Sequence, residues 1–140
     1  MAVLYLLDTD TCSYAIRGAS TLLDSRLAAA QDAALAISSI TRAELICGLE
    51  KRGNPRALSR LVFGFLDHVA VKPWDAAAAD QFAKLRAQLE RRGSPIGIFD
   101  TMIAGHALAL RAILVTNNQR HFGKVRSLEV ENWSTDAGEG

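Results

Sequence analysis

An apolar run that ends in an aspartate constrains this chain more than any other feature. Ala2 to Leu7 are apolar without interruption, and Asp8 follows directly. Continuous apolar runs are typical of strands buried on both faces, which occur mainly in parallel sheets covered by helices. Asp8 then lies at the carboxyl end of the strand, where open α/β sheets bind their ligands. Its alternative role is to cap the helix that follows, which aspartate does well.

The rest of the chain alternates between short apolar runs and stretches with helical periodicity. Such alternation predicts an α/β fold, a three-layer α/β/α sandwich around a parallel sheet of four to five strands. The later strands are predicted at Ala34–Ser38, Val69–Lys72, Ala112–Val115 and, at an edge, Leu128–Glu131. The helices are predicted at Thr9–Arg17, Ser20–Gln31, Ile40–Arg52, Asn54–Asp67, Asp75–Arg92 and Ile98–Leu110, with Ser20, Asn54 and Asp75 as caps.

The length of 140 residues suits one domain. We expect that domain to span residues 1–134, followed by a frayed polar tail at 135–140. No apolar stretch approaches the roughly 20 residues of a membrane span, and the first run is too short for a signal peptide. Cys12 and Cys47 form no disulfide framework and no zinc-type spacing, which predicts reduced thiols in a cytoplasmic protein. The formal charge of +1 means that nucleic-acid binding must come from local patches.

Two further carboxylates lie in apolar surroundings. Glu44 is on a helix that is apolar almost all round, which predicts a buried helix with the glutamate at the core or its edge; a solvated place at the rim is the alternative. Asp100 lies between Phe99 and Met102, and it is either a partly buried acid or the N-cap of its helix. With the first aspartate, these acids predict a divalent-cation site, because Mg²⁺ takes oxygen ligands and clustered carboxylates repel one another without it.

Polar residues follow the fourth predicted strand. Thr116, Asn117 and Asn118 lie at the same edge of the sheet as Asp8, so they are candidates to bind a cation or to position substrate and water. Asn-Asn also suits a plain turn. His121 is either a surface histidine or a group that orients a water or a phosphate, a role for which histidine is common in enzymes.

Basic residues cluster in three groups along the chain. Solvated faces explain most charge runs, yet basic side chains that flank an acidic centre also suit a polyanionic substrate. The groups are Lys51, Arg52, Arg56 and Arg60, then Arg91 and Arg92, then Arg120, Lys124 and Arg126.

Five blocks along the chain carry a resemblance to a known family. They are Leu6–Asp10, Ser38–Leu45, Pro95–Leu108, Leu114–Asn118 and Val130–Trp133. Each is a soft pattern alone, but in this order and spacing they resemble the VapC-type toxins of the PIN-domain ribonuclease family over nearly the whole chain. The resemblance implies a single PIN domain and a Mg²⁺- or Mn²⁺-dependent endoribonuclease, the toxin of a type II toxin–antitoxin pair.

The resemblance also assigns roles to the acids. Asp8, Glu44 and Asp100 match the acidic metal site of the family, with Asp8 and Asp100 as direct ligands and Glu44 as a ligand or as the group that orients the metal's water. A fourth acid is common after the fourth strand; here Asn118 and His121 occupy the candidate positions, and Asn118 is a possible substitute ligand.

The resemblance implies partners as well. It indicates an RNA substrate, with tRNA as the first-ranked class, a VapB-type antitoxin and homodimerisation. It implies no membrane partner, and DNA only indirectly through the antitoxin. Thr9, within the first block, is a further candidate for positioning substrate or water.

Two other functions fit parts of the sequence. Asp8-Thr9-Asp10-Thr11 after an apolar strand fits the DxDxT signature of haloacid-dehalogenase-type phosphatases, with Asp8 as nucleophile and Asp10 as acid and base. The later lysine and the paired acidic motif of that family are not evident. A non-catalytic PIN module that binds RNA or protein without cutting is the second alternative, because the fourth acid is missing.

Overall fold

Five short strands form one sheet in the computed structural model, which describes residues 2–30 and 34–135. The strands are β1 (Tyr5–Leu7), β2 (Leu35–Ser38), β3 (Ala70–Lys72), β4 (Ile113–Val115) and β5 (Val130–Glu131). Their order in the sheet is β3-β2-β1-β4-β5, and every neighbouring pair is parallel. The predicted α/β fold with a parallel sheet is confirmed.

Helices cover both faces of this sheet. They are α1 (Thr9–Arg17), α2 (Thr21–Ala29), α3 (Ser39–Lys51), α4 (Arg56–Asp67), α5 (Ala76–Arg91), α6 (Ile98–Leu110) and α7 (Gln119–Phe122). Successive residues of a strand point to opposite faces. Leu6 therefore packs in the core beneath α5 and α6, and Leu7 packs in a second core with residues of α1 and α3.

Two helices, α2 and α5, begin at the side-chain caps that the sequence predicts. The Ser20 hydroxyl accepts from the Leu23 amide at 3.1 Å, and the Asp75 carboxylate accepts from the Ala78 amide at 3.0 Å. Each cap satisfies an amide that has no partner within its helix. Because β1 and β2 run parallel, α1 and α3 both begin at the carboxyl edge of the sheet.

The first strand is shorter than predicted. Ala2 and Val3 are exposed, and only Tyr5–Leu7 form β1. The reason lies in the neighbours, because β1 pairs with β2 and β4 only from Tyr5 onwards. The length of an apolar run therefore overestimates the length of a strand when the neighbouring strands are shorter.

The prediction that Asn54 caps α4 is wrong. Asn54 has a φ of 54° and its amide donates to the Leu49 carbonyl at 2.9 Å, so it completes the end of α3. Gly53, with a φ of 76°, precedes it in the same left-handed region, an arrangement typical of a Schellman ending. Pro55 takes the cap position of α4 instead, without a side-chain hydrogen bond.

Three smaller points complete the comparison. Helix α3 is less buried than predicted, because only Thr41, Leu45 and Leu49 are fully buried on it. The four-residue helix α7 follows the predicted Thr116–Asn118 turn and was not predicted. Most of the predicted tail, residues 136–140, lies outside the described residues.

Among the helices described, none combines the length and apolar character needed to span a bilayer.

Candidate metal centre

Asp8 lies buried at the carboxyl edge of the sheet, between β1 and α1. It is 3% exposed. Its Oδ1 accepts from the Thr11 amide at 2.8 Å, and its Oδ2 accepts from the Thr116 hydroxyl at 2.5 Å. Asp8 therefore caps α1, as the alternative interpretation expected, and also contacts the end of β4. One carboxylate serves both because β1 and β4 are adjacent.

Thr116 connects Asp8 to the loop after β4. Its hydroxyl donates to Asp8 and accepts from the Asn118 amide at 2.9 Å. The Asn118 contact is made by the backbone, and the Asn118 residue is exposed. The structure thus places Thr116 against the central carboxylate, whereas the side chain of Asn118 makes no recorded contact with the acids among the described residues.

Thr9 and Thr41 hold Glu44 at the same edge. Thr9 Oγ1 lies 2.6 Å from Glu44 Oε1 and 3.0 Å from Thr41 Oγ1. One hydroxyl has one proton to donate, so Thr9 donates to the carboxylate and accepts from Thr41. Glu44 is half-buried. This burial is intermediate between the predicted place at the core or its edge and the alternative of a solvated place at the rim. Since Thr9 follows Asp8 directly, this contact ties Glu44 on α3 to the start of α1.

Asp100 lies in the first turn of α6 and does not cap it. Gly97 takes the cap position, without a side-chain bond. The Asp100 carboxylate is instead approached by His121 of α7, whose Nδ1 lies 3.3 Å from Asp100 Oδ2. That nitrogen is buried and makes no well-directed hydrogen bond, so the contact is mainly electrostatic. His121 thus lies at the acidic edge beside Asp100, with 36% of its side chain exposed.

Asp10 is a fourth carboxylate at this edge, and its sequence context indicates a role only in the phosphatase alternative. It is exposed in the first turn of α1, where the Nδ2 of Asn117 lies 3.5 Å from its Oδ2. Asn117 Oδ1 in turn accepts from the Ser134 hydroxyl at 2.6 Å. The spacing of two residues after a buried aspartate was the signal available in the sequence. Thr11, Thr41 and Ser134 gave no such signal.

Burial and mutual repulsion govern the charges of these acids. Burial raises the pKa of Asp8 to about 6, against the lowering effect of the Thr116 and Thr11 hydrogen bonds, and Asp10 adds to the rise. Burial likewise raises the pKa of Glu44, with a further contribution from the charge on Asp100. The pKa of Asp100 is raised by burial and by Asp10, and His121 opposes the rise. The charge of another carboxylate thus contributes to the raised pKa of each of these three acids.

This donor set suits a hard divalent cation. The side chains are carboxylates, which Mg²⁺ and Mn²⁺ prefer, and the thiol-rich sets that favour softer metals are absent from the site. Raised pKa values mean that a nearby cation would stabilise the charged forms. Within residues 2–30 and 34–135, however, no three His, Cys, Asp or Glu side chains are arranged to hold a metal ion as they stand. Binding would therefore require changes of side-chain rotamer.

His106 and His68 each contact a neighbouring polar group within the fold. His106 is buried, and its Nδ1 lies 2.8 Å from the hydroxyl of Ser38, the residue that caps α3. Burial lowers the pKa of His106, which favours the neutral ring. His68 closes α4, with its Nδ1 2.8 Å from the Gly64 carbonyl.

Comparison with known proteins places this arrangement in context. Residues 5–128 match the model of the PIN domain. A relative from Shigella flexneri, described as "tRNA(fMet)-specific endonuclease VapC", is 41% identical over 130 residues, which cover 93% of this chain and 98% of the relative.

Solved structures give the same picture. The structure described as "DNA bound VapBC from Salmonella typhimurium" superposes with a TM-score of 0.88 at 37% identity, over 94% of this chain and 98% of that one. "VapBC2 from Rickettsia felis bound to a DNA fragment from their promoter" gives a TM-score of 0.85 at 34% identity, over 94% and 99%. Both likenesses extend over nearly the full length of the two chains compared.

Proposed function

This chain belongs to the PIN-domain family and is a VapC-type member of it, and from that premise we propose that it is an endoribonuclease, the toxin of a type II toxin–antitoxin pair. The observation that carries the proposal is the 41% identity to an endonuclease over 98% of that protein's length. We further propose tRNA as the substrate class, because that relative and one from Salmonella typhimurium, 37% identical over 129 residues, are both described as specific for tRNA(fMet).

We propose that Asp8, Glu44 and Asp100 hold Mg²⁺ or Mn²⁺. Asp8 and Asp100 are the direct ligands in this proposal, and Glu44 binds the ion or its water. The chemistry of the donor set and the raised pKa values of all three acids support it. A bound divalent cation supplies water activation and neutralises charge on the phosphate.

The residues around the acids have positioning roles in the same proposal. The Thr116 hydroxyl fixes Asp8 Oδ2, and the Thr9 hydroxyl fixes Glu44 Oε1. Once the rotamer changes needed for binding have occurred, hydroxyl hydrogen bonds of this kind would limit further reorganisation of the carboxylates during the reaction. His121 lies beside Asp100 and can donate to a phosphate oxygen when protonated. Asn117 and Asn118 border the site, and we give neither a ligand role.

We propose a VapB-type antitoxin as the protein partner. Structures of relatives are complexes described as VapBC bound to DNA, which supports DNA contact through the antitoxin. We also propose a homodimer and a cytoplasmic location, where a tRNA substrate is found.

The phosphatase alternative has no support from the fold match. A non-catalytic module is the candidate that an experiment must exclude. Purified protein with Mn²⁺ should cut a tRNA(fMet) transcript at a discrete position, and Asp8→Asn and Asp100→Asn should each reduce the rate by at least about 1,000-fold. Equal cutting by wild type and both variants would point to a contaminating nuclease, and binding without cutting by the wild type would establish the non-catalytic module.

A further inference from the structure

A cleft leads away from the acidic edge between α1, α3 and α4. It encloses about 430 Å³. Asp10 and Glu44 lie at one end of it, and Arg17, Lys51 and Arg52 also line it. Apolar side chains of α3 and α4 form the wall between these charged groups. The cleft is thus continuous with the proposed metal site but extends well beyond it.

The helix geometry separates the opposite charges along the cleft. The Thr9–Glu44 hydrogen bond holds α1 and α3 side by side at the acidic end. Arg17 follows Thr9 by eight residues, and Arg52 follows Glu44 by the same number. At a rise of about 1.5 Å per residue, the Cα atoms of Arg17 and Arg52 lie ~12 Å along their helices from the residues of that contact. All three basic residues line the same cleft as the acids.

Within the described residues, these cations have no carboxylate within ion-pair distance, since no ion pair within 4 Å involves Arg17, Lys51 or Arg52. Arg17 is also oriented, since its Nε donates to the Ser13 carbonyl at 3.2 Å and its guanidinium lies 5.3 Å from the centre of the Tyr14 ring. Three unpaired cations that share a cleft repel one another, and a polyanion relieves that repulsion.

We propose that the basic end of this cleft, formed by Arg17, Lys51 and Arg52, binds backbone phosphates of the RNA to one side of the bond that is cut. The proposal rests on the proposed nuclease function and extends it to a second contact region. A distance of ~12 Å is long enough to place these contacts a few nucleotides from the bond that is cut. The apolar wall then lies beside the intervening bases.

Charge complementarity favours RNA over a peptide in this cleft. A cation bound at the acidic end would make that end attractive to a phosphate, so the whole length of the cleft would suit a polyanion. Gly48 lies in the wall, and a Cβ added there meets no atom within 4 Å. The cleft is consequently open at its middle, where a strand must pass.

The test compares two pairs of charge removals with tRNA(fMet) transcript as the probe. Lys51→Gln with Arg52→Gln should raise KM about tenfold near physiological salt and leave kcat within about twofold. The salt slope of kcat/KM should decrease by about 1.4, since each lost contact to a single strand contributes about 0.7. Lys84→Gln with Arg111→Gln is the matched control, because both residues are exposed and Arg111 precedes β4 at the opposite edge of the sheet.

A steric variant tests the same cleft without a change of charge. Gly48→Leu should raise KM and leave the salt slope unchanged, whereas Gly64→Leu, at an exposed position of α4 that is equally open, should change neither. Thermal midpoints of all variants check that they remain folded.

The outcomes separate this inference from the function itself. Equal KM and equal salt slope for the two charge pairs would overturn it. Unchanged RNA cutting together with lost inhibition by the antitoxin would also overturn it, and would assign the cleft to a peptide. If the wild type neither binds RNA nor cuts it, the proposed function fails and the inference fails with it.

Discussion

Asp8 combines two hydrogen bonds with an environment that disfavours its charge. The bonds from Thr11 and Thr116 stabilise the carboxylate, yet burial outweighs them and raises the pKa to about 6. The sequence predicted that this residue lies at the carboxyl edge of the sheet, since it directly follows a buried strand. It could not predict the partner Thr116, which is 108 residues away. Asp10 was assigned to another chemistry because its proximity to Asp100 appears only in three dimensions.

The raised pKa of Asp8 predicts a pH dependence of stability. Between its usual value of 3.8 and about 6, the folded state holds a proton that the unfolded state releases, so the free energy of unfolding falls as the pH rises. Asp8→Asn carries no charge at this position, so its free energy of unfolding does not fall in this way as the pH rises. In a chelator, it should be close to wild type in stability near pH 4 and more stable by about 3 kcal/mol above pH 7.

Urea denaturation at several pH values measures this difference. Asp24→Asn, at an exposed position, is the control and should show little change with pH. A constant gap between Asp8→Asn and wild type at all pH values would show that Asp8 titrates normally.

His121 predicts how the site can be strengthened. Its ring lies beside Asp100, where the related family commonly has an acid. His121→Glu should therefore add a carboxylate ligand and increase Mn²⁺ affinity about tenfold, because affinity for hard cations rises with ligand charge. Isothermal titration calorimetry measures this, with His68→Glu, away from the acids, as the control. Equal affinities for wild type and His121→Glu would exclude this position from the metal centre.

The bounds of helices and strands were predictable where contacts within a few residues determine them. They were less predictable where contacts with distant segments determine them. Caps at Ser20 and Asp75 follow from hydrogen bonds within a few residues. The length of β1 depends on its partner strands, which the sequence does not reveal. Asn54 could end one helix or begin the next, and the 2.9 Å bond to Leu49 decides for the first. Helix α7 is only four residues long, too short for a periodic signal.

Two helical glycines predict opposite effects of the same substitution. A Cβ on Gly105 of α6 would lie 2.8 Å from the backbone nitrogen of Phe82 on α5, so Gly105→Ala should destabilise the protein by about 1–3 kcal/mol. A Cβ on Gly48 of α3 meets open space, so Gly48→Ala should stabilise it by about 0.5–1 kcal/mol. Urea denaturation checks both, and equal changes would contradict the close approach of α5 and α6.

At the scale of the whole molecule, the sheet order creates the site. The sequence predicted a parallel sheet but could not predict that β1 lies between β2 and β4, because strand order depends on packing between distant segments. That order brings the ends of β1, β2 and β4 together, and with them Asp8, the start of α3 and Thr116. The third acid arrives on α6, which is fixed against α5 by the contact at Gly105.

The same arrangement predicts that a cation stabilises the fold. Mn²⁺ at about 100 times its dissociation constant should add about 2.7 kcal/mol to the free energy of unfolding of the wild type. Asp100→Asn should gain much less, since it lacks a proposed ligand. A thermal shift in Mn²⁺ against a chelator checks this, and an equal shift in both proteins would indicate binding elsewhere.

The central claim is that Asp8, Glu44 and Asp100 together hold one divalent cation at the carboxyl edge of the sheet. An anomalous difference map from crystals grown with Mn²⁺ tests it most directly. We expect a peak within about 2.5 Å of carboxylate oxygens of Asp8 and Asp100, with Glu44 in direct contact or one water away. A fully occupied Mn²⁺ peak elsewhere, with none between these side chains, would contradict the claim.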